Sequence, residues 1–434
     1  MIAILGGGLA GLAAAWRLGE EPHVVLEAGE APGGLCRSRT VDGFTFDYTG
    51  HLLHVRDPRV VGLIDELWPD TFEIIARRAV IRSRGATLPF PYQANLHGLP
   101  REQVAECILG LVEALNGPVP TDPATSFRDW SLAVFGRGIS DGFMFPYNTK
   151  LFGRAPDDMT ADWVSWAVPR PTLPEVVRGA LGIANTGMGY NPTFRYPRRG
   201  GIEVVPRAFA ERVRTVRCSA RVAAIDLDRR TWTLDDGETE RWDRLVVTTP
   251  LPAFLEMCRG GGRSWAELGR RLDWSVVGCV NLGVDRSTIA GGAHWVYFPD
   301  ADVPFYRAGF PSNFSGGVAP EGTSSMYVEF GLPRNGAVDR ERLIAAAVDG
   351  LTREGFLDPG DRVLAADVLR IDPGYVIFDR ARQEILAEAE PALRALGVDL
   401  IGRYGAWTYS YMERAILDGL ETAERLLGTD ARRK

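Results

Sequence analysis

The chain has 434 residues, two to three times the length of one ordinary domain, which excludes a small stapled scaffold and leaves several domains or one large discontinuous one. Lys+Arg 49 against Asp+Glu 56 gives a formal charge of −7, and no basic run follows a phosphate backbone, so nucleic acid is excluded as a partner. Hydrophobic residues at 45% and charged residues at 24% exclude disorder as the main state.

Met1 to Leu5 reads as a strand, a glycine cluster follows, and the alanine-rich stretch from Leu9 to Leu18 reads as a helix. Val24-Val25-Leu26-Glu27 is a second strand ending on an acid, closing a βαβ unit before the turn-rich Gly29 to Gly34. Within it, Gly6-x-Gly8-x-x-Gly11 lies between strand and helix: Gly6 for the tight turn, Gly8 for close approach of backbone to a pyrophosphate at the helix N-terminus, Gly11 for helix–strand packing. Backbone of Leu9 and Ala10 shares that site, and Glu27, 16 residues beyond Gly11, is placed to accept from ribose hydroxyls. Both NAD and FAD satisfy this pattern.

From about Pro100 the pattern turns helical, with Arg101 to Leu115, Ser126 to Phe135 and Ile139 to Phe145 as the expected pieces of an insert over 98–190. Between Cys218 and Pro250 short strands return, with Asp235-Asp236-Gly237 as a hairpin turn. Val276–Leu282, His294–Phe298, Phe305–Ala308 and Ser325–Phe330 read as an antiparallel sheet, and Met412 to Leu427 as a final amphipathic helix. Cys36, Cys107, Cys218, Cys258 and Cys279 are odd in number and contain no CxxC, which predicts a reducing, cytoplasmic setting and neither a disulfide framework nor a structural zinc. No apolar run approaches the ~18–20 residues of a transmembrane segment. His51 and His54 are i, i+3, but no HExxH or second histidine pair accompanies them, so no metal is expected. Only two lysines occur, and Lys150 is the one inside the chain.

Glu27-Ala28-Gly29-x-x-Pro32-Gly33-Gly34-Leu35 resembles the second half of the FAD site in amine oxidases, protoporphyrinogen oxidases and UDP-galactopyranose mutases. Arg221-Val222-Ala223-Ala224-Ile225 and Thr248-Thr249-Pro250 are similar to later flavin-site segments of that superfamily. The resemblance to UDP-galactopyranose mutase runs from Gly6 to Met412: Leu88 to Asn95, Phe145-Pro146-Tyr147-Asn148-Thr149-Lys150, Asn191 to Pro197, Trp295 to Pro299 with Pro304 to Arg307, and Gly402-Arg403-Tyr404-Gly405-x-x-x-Tyr409-x-x-Met412.

The resemblance implies an α/β fold. A discontinuous FAD-binding Rossmann-type domain (1–66, 195–255, 395–434) would carry a helical domain (98–190) and an antiparallel sheet domain for substrate (67–97, 270–394). It implies FAD held by Gly6, Gly8, Leu9, Ala10, Gly11, Glu27, Ala28, Gly33, Gly34, Leu35, Gly50, His51, Val222, Thr249, Gly402, Arg403, Met412 and Glu413. NADPH would be a transient reductant, since a second dinucleotide fingerprint is missing. The implied reaction is a redox-neutral isomerisation: reduced flavin N5 forms a sugar adduct, UDP leaves, and the ring recloses between pyranose and furanose forms. Arg307 and Arg403 would clamp the diphosphate through forked charge-assisted hydrogen bonds, with His51, Tyr375 and Tyr409 as the other catalytic candidates. Tyr92 would stack on the base and Gln93 read its edge, with Asn148, Arg170, Asn191 and Tyr297 completing the substrate contacts.

Some positions depart from the family pattern. Ala167 stands where the eukaryotic-type mutases place a phosphate-binding arginine, so either Arg170 replaces it or the diphosphate is held differently. Thr49, Phe90, Phe152 and Phe314 also replace family residues, which leaves sugar and base identity open. The competing reading is an oxidoreductase using FAD as hydride acceptor on an amine, a pigment precursor or a sugar alcohol. Oligomeric state is not legible.

Overall fold

The computed structural model describes residues 1–164, 168–183, 185 and 192–428. Asn191 and the tryptophan–alanine pair Trp166-Ala167 lie outside the described residues.

Five parallel strands form the first sheet, in the order Val398–Leu400, Arg244–Val247, Ile2–Leu5, His23–Leu26, Val216–Arg217. The central strand Ile2–Leu5 is buried throughout because helices cover both faces, which is why it reads as an unbroken apolar run. The helix Leu9–Leu18 packs on the final helix Met412–Leu426, and Gly419 lets the two backbones meet: a Cβ there would lie 2.4 Å from the Ala10 carbonyl oxygen. The beginning and end of the chain are thus joined in one layer.

Val222–Asp226 and Thr231–Leu234 do not enter this sheet. They pair in a separate four-stranded one, with Gly237 at φ +92 turning Thr231–Leu234 into Thr239–Arg241 at the expected hairpin. The helix Arg101–Leu115 follows Pro100 and ends before Gly117-Pro118, as its sequence dictates. The expected break near Phe135 is a kink: Gly136 takes φ +73 where Gly110 of the preceding helix crosses, and a Cβ would meet the Gly110 oxygen at 2.0 Å. A π-helical stretch, Ser140–Met144, then carries the chain into the helix Phe145–Phe152.

Seven strands make the largest sheet, in the order Val363–Ile371, Val276–Val284, Ser324–Leu332, Arg307–Gly309, Trp295–Tyr297, Ala79–Ser83, Ala86–Pro89. Alternation along the strands gives it two unlike faces. Val280, Val328, Ala308, Val296 and Val368 pack with Ala347 and Leu351 of the helix Arg340–Arg353 on one side. Register lines up Arg307, Glu329, Cys279 and Leu369 in one row on the other side, and Gly309, Tyr327, Asn281 and Asp367 in the next. Tyr327 of this second face lies against Gly50, so the sheet meets the segment Thr49–His51 that follows the hairpin Ser38–Asp47. Among the described residues no helix is long and apolar enough to cross a membrane.

Candidate functional site

The glycine loop divides into positions that are closed and one that is open. At Gly6, φ is +99 and a Cβ would lie 2.4 Å from Thr248 Oγ1; at Gly11 it would lie 2.2 Å from the Gly6 oxygen. Both are closed by the protein itself. Gly8 has an ordinary φ of −75, and the nearest atom to a Cβ there is Gly34 Cα at 3.8 Å. Gly8 begins the helix Leu9–Leu18 with no side-chain cap, so its first-turn N–H groups have no side-chain acceptor. Gly33 bridges to Gly8 and donates its N–H to the Gly7 oxygen at 2.7 Å, and Gly34 faces the same opening.

Glu27 holds the loop in shape: its two carboxylate oxygens accept from Gly7 N at 2.8 Å and Gly29 N at 2.7 Å. A carboxylate oxygen has a second lone pair, so ribose contact stays open. Ala28 is exposed beside Glu27, and Leu35 is half-buried past the glycine pair. Register between the strands of the small sheet slips at Val222, loosening backbone there, and Thr249 Oγ1 is buried without a partner. An uncapped helix start, an opening at Gly8 and an orphaned hydroxyl together fit a dinucleotide such as FAD.

Leu9, Ala10 and Met412 are buried side chains, so each can touch a cofactor only through backbone or its inner edge. Gly402, at φ +70, packs on Ala10 and donates to Asp418 Oδ2 at 3.2 Å. Glu413 Oε1 accepts from Arg56 N at 2.5 Å and Asp57 N at 2.8 Å; this carboxylate secures the turn before the helix Pro58–Leu67.

The loop after Tyr48 is strained. Thr49 sits at φ +71, a region β-branched residues avoid, and a Cβ at Gly50 would strike Tyr327 Oη at 2.1 Å. His51 Nδ1 is buried without a partner. Burial, then the charges of Arg403 and Arg307, pushes the His51 pKa down to about 4, so the imidazole is neutral near pH 7.

Arg403 lies 5.0 Å from the Tyr375 ring, 5.6 Å from Tyr409 and 5.7 Å from Tyr404. Its Nη1 and Nη2 donate to the carbonyls of Ser410 and Gly374 at 3.3 and 3.2 Å, and its Nε is buried without a partner. Tyr375 and Tyr409 stack with centroids 6.2 Å apart. Tyr297 leans on Phe90 and meets Tyr147 edge-on at 5.4 Å.

Arg307 differs from the expectation drawn from sequence. Its Nε and Nη2 form a fork on Glu329, at 3.0 and 2.7 Å, and Glu329 is 0% exposed. The fork expected to grip a diphosphate is therefore occupied, and the charge of Arg307 is balanced within the sheet. Nη1 remains for a ligand. Removing one partner of such a buried pair strands the other's charge, at about 3–5 kcal/mol. Glu329→Ala is accordingly expected to lower the denaturation free energy by that amount, and a loss below about 1 kcal/mol would mean the pair is solvated.

Tyr92 also needs correction. It is 1% exposed, its ring stacks on Phe143 at 5.2 Å, and its hydroxyl lies beside Gly142 and Cys107, so no ring face is offered to a base. Its neighbour Gln93 is 2% exposed and donates to the Pro169 oxygen at 2.7 Å. Asn148 is likewise buried, with Nδ2 bonded to the Met144 oxygen of its own helix at 2.7 Å. Arg170 is exposed and stacks over Trp130 at 5.1 Å. Lys150 joins its helix to the turn at Phe298 and Asp300 through two carbonyls, 2.8 and 2.9 Å away.

Tyr147, Tyr306 and Glu329 stand beside Arg307 without having been singled out from sequence. The charge of Arg307 acts on both tyrosines, and Tyr306 Oη is buried without a partner. Cross-strand register brings Glu329 to Arg307, and register is not written locally in either strand.

Burial also pushes His54 and His294 down to about 4, and Asp47 up to about 6. As pH falls from 6.5 toward 4, the unfolded chain binds protons on three histidines that the folded chain refuses, so stability is lost. Asp47 has the opposite sign: the folded chain protonates it first, adding stability as pH falls below about 6. Three groups outweigh one, so the melting temperature is expected to fall between pH 6.5 and 4.5, and His51→Gln to flatten that fall. A melting temperature rising over this interval would show that the histidines are solvated.

The family model for flavin-containing amine oxidoreductases matches residues 9–351. A crystal structure of reduced UDP-galactopyranose mutase superposes with a TM-score of 0.92 at 30% identity, covering 98% of this chain and 93% of that one. Putrescine oxidase bound to putrescine superposes with a TM-score of 0.69 at 15% identity over 98% of each chain, a likeness of fold alone. Among curated proteins, coproporphyrinogen III oxidase of Mycobacterium leprae (strain TN) is 25% identical over 66% of this chain and 67% of its own length. The counterpart of Mycobacterium tuberculosis (strain CDC 1551 / Oshkosh) is 24% identical over 60% of its length.

Proposed function

The chain belongs to the flavin-containing amine oxidoreductase family, and we propose that within it this protein is a flavin-dependent nucleotide-sugar mutase. It would interconvert pyranose and furanose forms of a sugar nucleotide, UDP-galactose by default, without net oxidation. The observation that carries the reading is full-length likeness to reduced UDP-galactopyranose mutase at 30% identity. The site's own chemistry agrees with it: Arg403, among three tyrosine faces, is a cation with no carboxylate in salt-bridge reach among the described residues.

Gly8, Glu27 and Thr249 would hold FAD, which, once reduced with NADPH as the proposed donor, would supply the nucleophile toward the anomeric carbon. The protein's part is to hold the leaving diphosphate. Arg403 and the free Nη1 of Arg307 offer it charge-assisted donors, and Tyr375, Tyr409 and Tyr297 add phenol donors without further charge. His51 stays neutral, so it adds no third positive charge to those of Arg403 and Arg307, and its proposed part is to shape the loop. Asn191 is proposed as a further substrate contact on the resemblance alone.

An oxidoreductase is the second reading, and the coproporphyrinogen III oxidase relatives favour it. Because Glu329 balances Arg307, the site offers one uncompensated cation where sequence suggested two, which narrows the electrostatic case against an oxidase. Incubation of dithionite-reduced, anaerobic protein with UDP-galactopyranose or UDP-galactofuranose, followed by chromatography, separates the readings. Interconversion by the reduced form alone is expected; untouched sugars, with no UDP binding, would abandon the mutase.

A further inference from the structure

The helix Arg380–Ala395 buries an arginine for which the proposed chemistry has no use. Arg382 is 7% exposed; its Nε donates to the Trp407 carbonyl at 2.8 Å, its Nη1 to Asp162 Oδ2 at 3.3 Å, and its guanidinium lies 4.2 Å from the Phe378 ring. Those two acceptors belong to different parts of the molecule. Asp162 precedes Trp163, whose ring stacks on Tyr409 at 6.4 Å, in the helical region. Trp407 lies between the short helix Gly402–Gly405, which carries Arg403, and Tyr409, at φ +48, 0% exposed, with its indole nitrogen unpartnered.

Left-handed backbone at a tryptophan persists only where its surroundings over-determine it. Around Trp407 the ring is held by the core, with Trp274 edge-on at 5.8 Å and Tyr404 at 6.3 Å, while the backbone is held by Thr408 N, which donates to the Arg403 oxygen at 2.9 Å, and by Arg382, which donates to the Trp407 carbonyl. Arg403 in turn depends on this loop, since its Nη1 donates to Ser410. We propose that Arg382 is a positioning residue, which sets Arg403 and Tyr409 at the substrate site by tying the Trp407 carbonyl to Asp162. A rigid planar fork is pre-set to span two acceptors in divergent directions, whereas a lysine offers its donors from a single atom on a flexible stem. The claim rests on the nucleotide-sugar reading for what Arg403 binds, but not for how its loop is held.

The test uses the full, FAD-loaded chain with Arg382→Met, Arg382→Lys and Asp162→Asn. Amide hydrogen exchange is read over 402–412, and UDP affinity from the flavin absorbance change. Arg382→Met is expected to speed exchange in that segment at least tenfold and to weaken UDP at least tenfold with flavin retained, and Arg382→Lys to fall between. In an Arg403→Ala background the UDP effect of Arg382→Met should shrink to the share that runs through Tyr409. Unchanged exchange, or an undiminished UDP effect in that background, overturns the proposal. If Arg382→Met does not fold, the lysine variant and Asp162→Asn carry the same comparison. If the unmodified protein binds no UDP, the nucleotide reading falls, and the exchange result alone decides whether Arg382 positions the loop.

Discussion

Arg403→Ala is expected to lower kcat/KM for sugar-nucleotide interconversion by about 10²–10³-fold, the usual effect of removing one fixed donor from developing negative charge, while flavin absorbance persists. Arg403 is a cleaner probe than Arg307. Truncating Arg307 leaves Glu329 charged and buried, so lost activity would be mixed with lost stability. Arg403 has carbonyls and tyrosine rings as neighbours, and its removal strands no opposite charge. The variant does lose two hydrogen bonds to Ser410 and Gly374, so its melting temperature must be recorded beside its rate. Arg403→Lys keeps the charge and drops the fork, and should recover part of the rate. Activity within threefold of the unmodified enzyme, at unchanged substrate saturation, would remove Arg403 from the phosphate site.

How far the sequence alone reaches depends on whether the signal is local. The βαβ unit was legible because a strand, three spaced glycines and an acid at a strand end lie within 27 residues. The helix Arg101–Leu115 was legible for the same reason, having its start and stop signals at its own ends. Val363–Ile371 was not: it joins the edge of the large sheet, and its run of Val, Leu, Ala and Ala reads equally as helix or strand. The site shows the same division. Resemblance put Arg403, Tyr375 and Tyr409 together, and the structure brings their rings and guanidinium within about 6 Å. It could not give the partner of Arg307, because that partner is set by pairing Arg307–Gly309 with Ser324–Leu332 in one register. The surroundings of Tyr92 were not legible either: Tyr92–Ala94 is a short 3-10 turn, and tertiary packing sets its phenol on Phe143 beside Gly142 and Cys107.

Gly8→Glu is expected to yield folded, colourless protein. The backbone at residue 8 is one any residue adopts, and a Cβ there meets nothing closer than 3.8 Å, so the chain accommodates the substitution. The added carboxylate then occupies the opening at the uncapped helix start where the FAD pyrophosphate is proposed to lie. Two like charges about 4 Å apart repel by about 4 kcal/mol at the effective dielectric of a protein surface, which is about a thousandfold in affinity. Gly11→Ala is the contrasting control. Its Cβ would fall 2.2 Å from the Gly6 oxygen, so that variant should lose its fold together with its flavin. Gly8→Glu should keep a cooperative melting transition and lose only the colour, read from the visible absorbance against protein. Stoichiometric flavin in Gly8→Glu would place the pyrophosphate away from this loop, and with it the diphosphate logic that links the glycine cradle to Arg403.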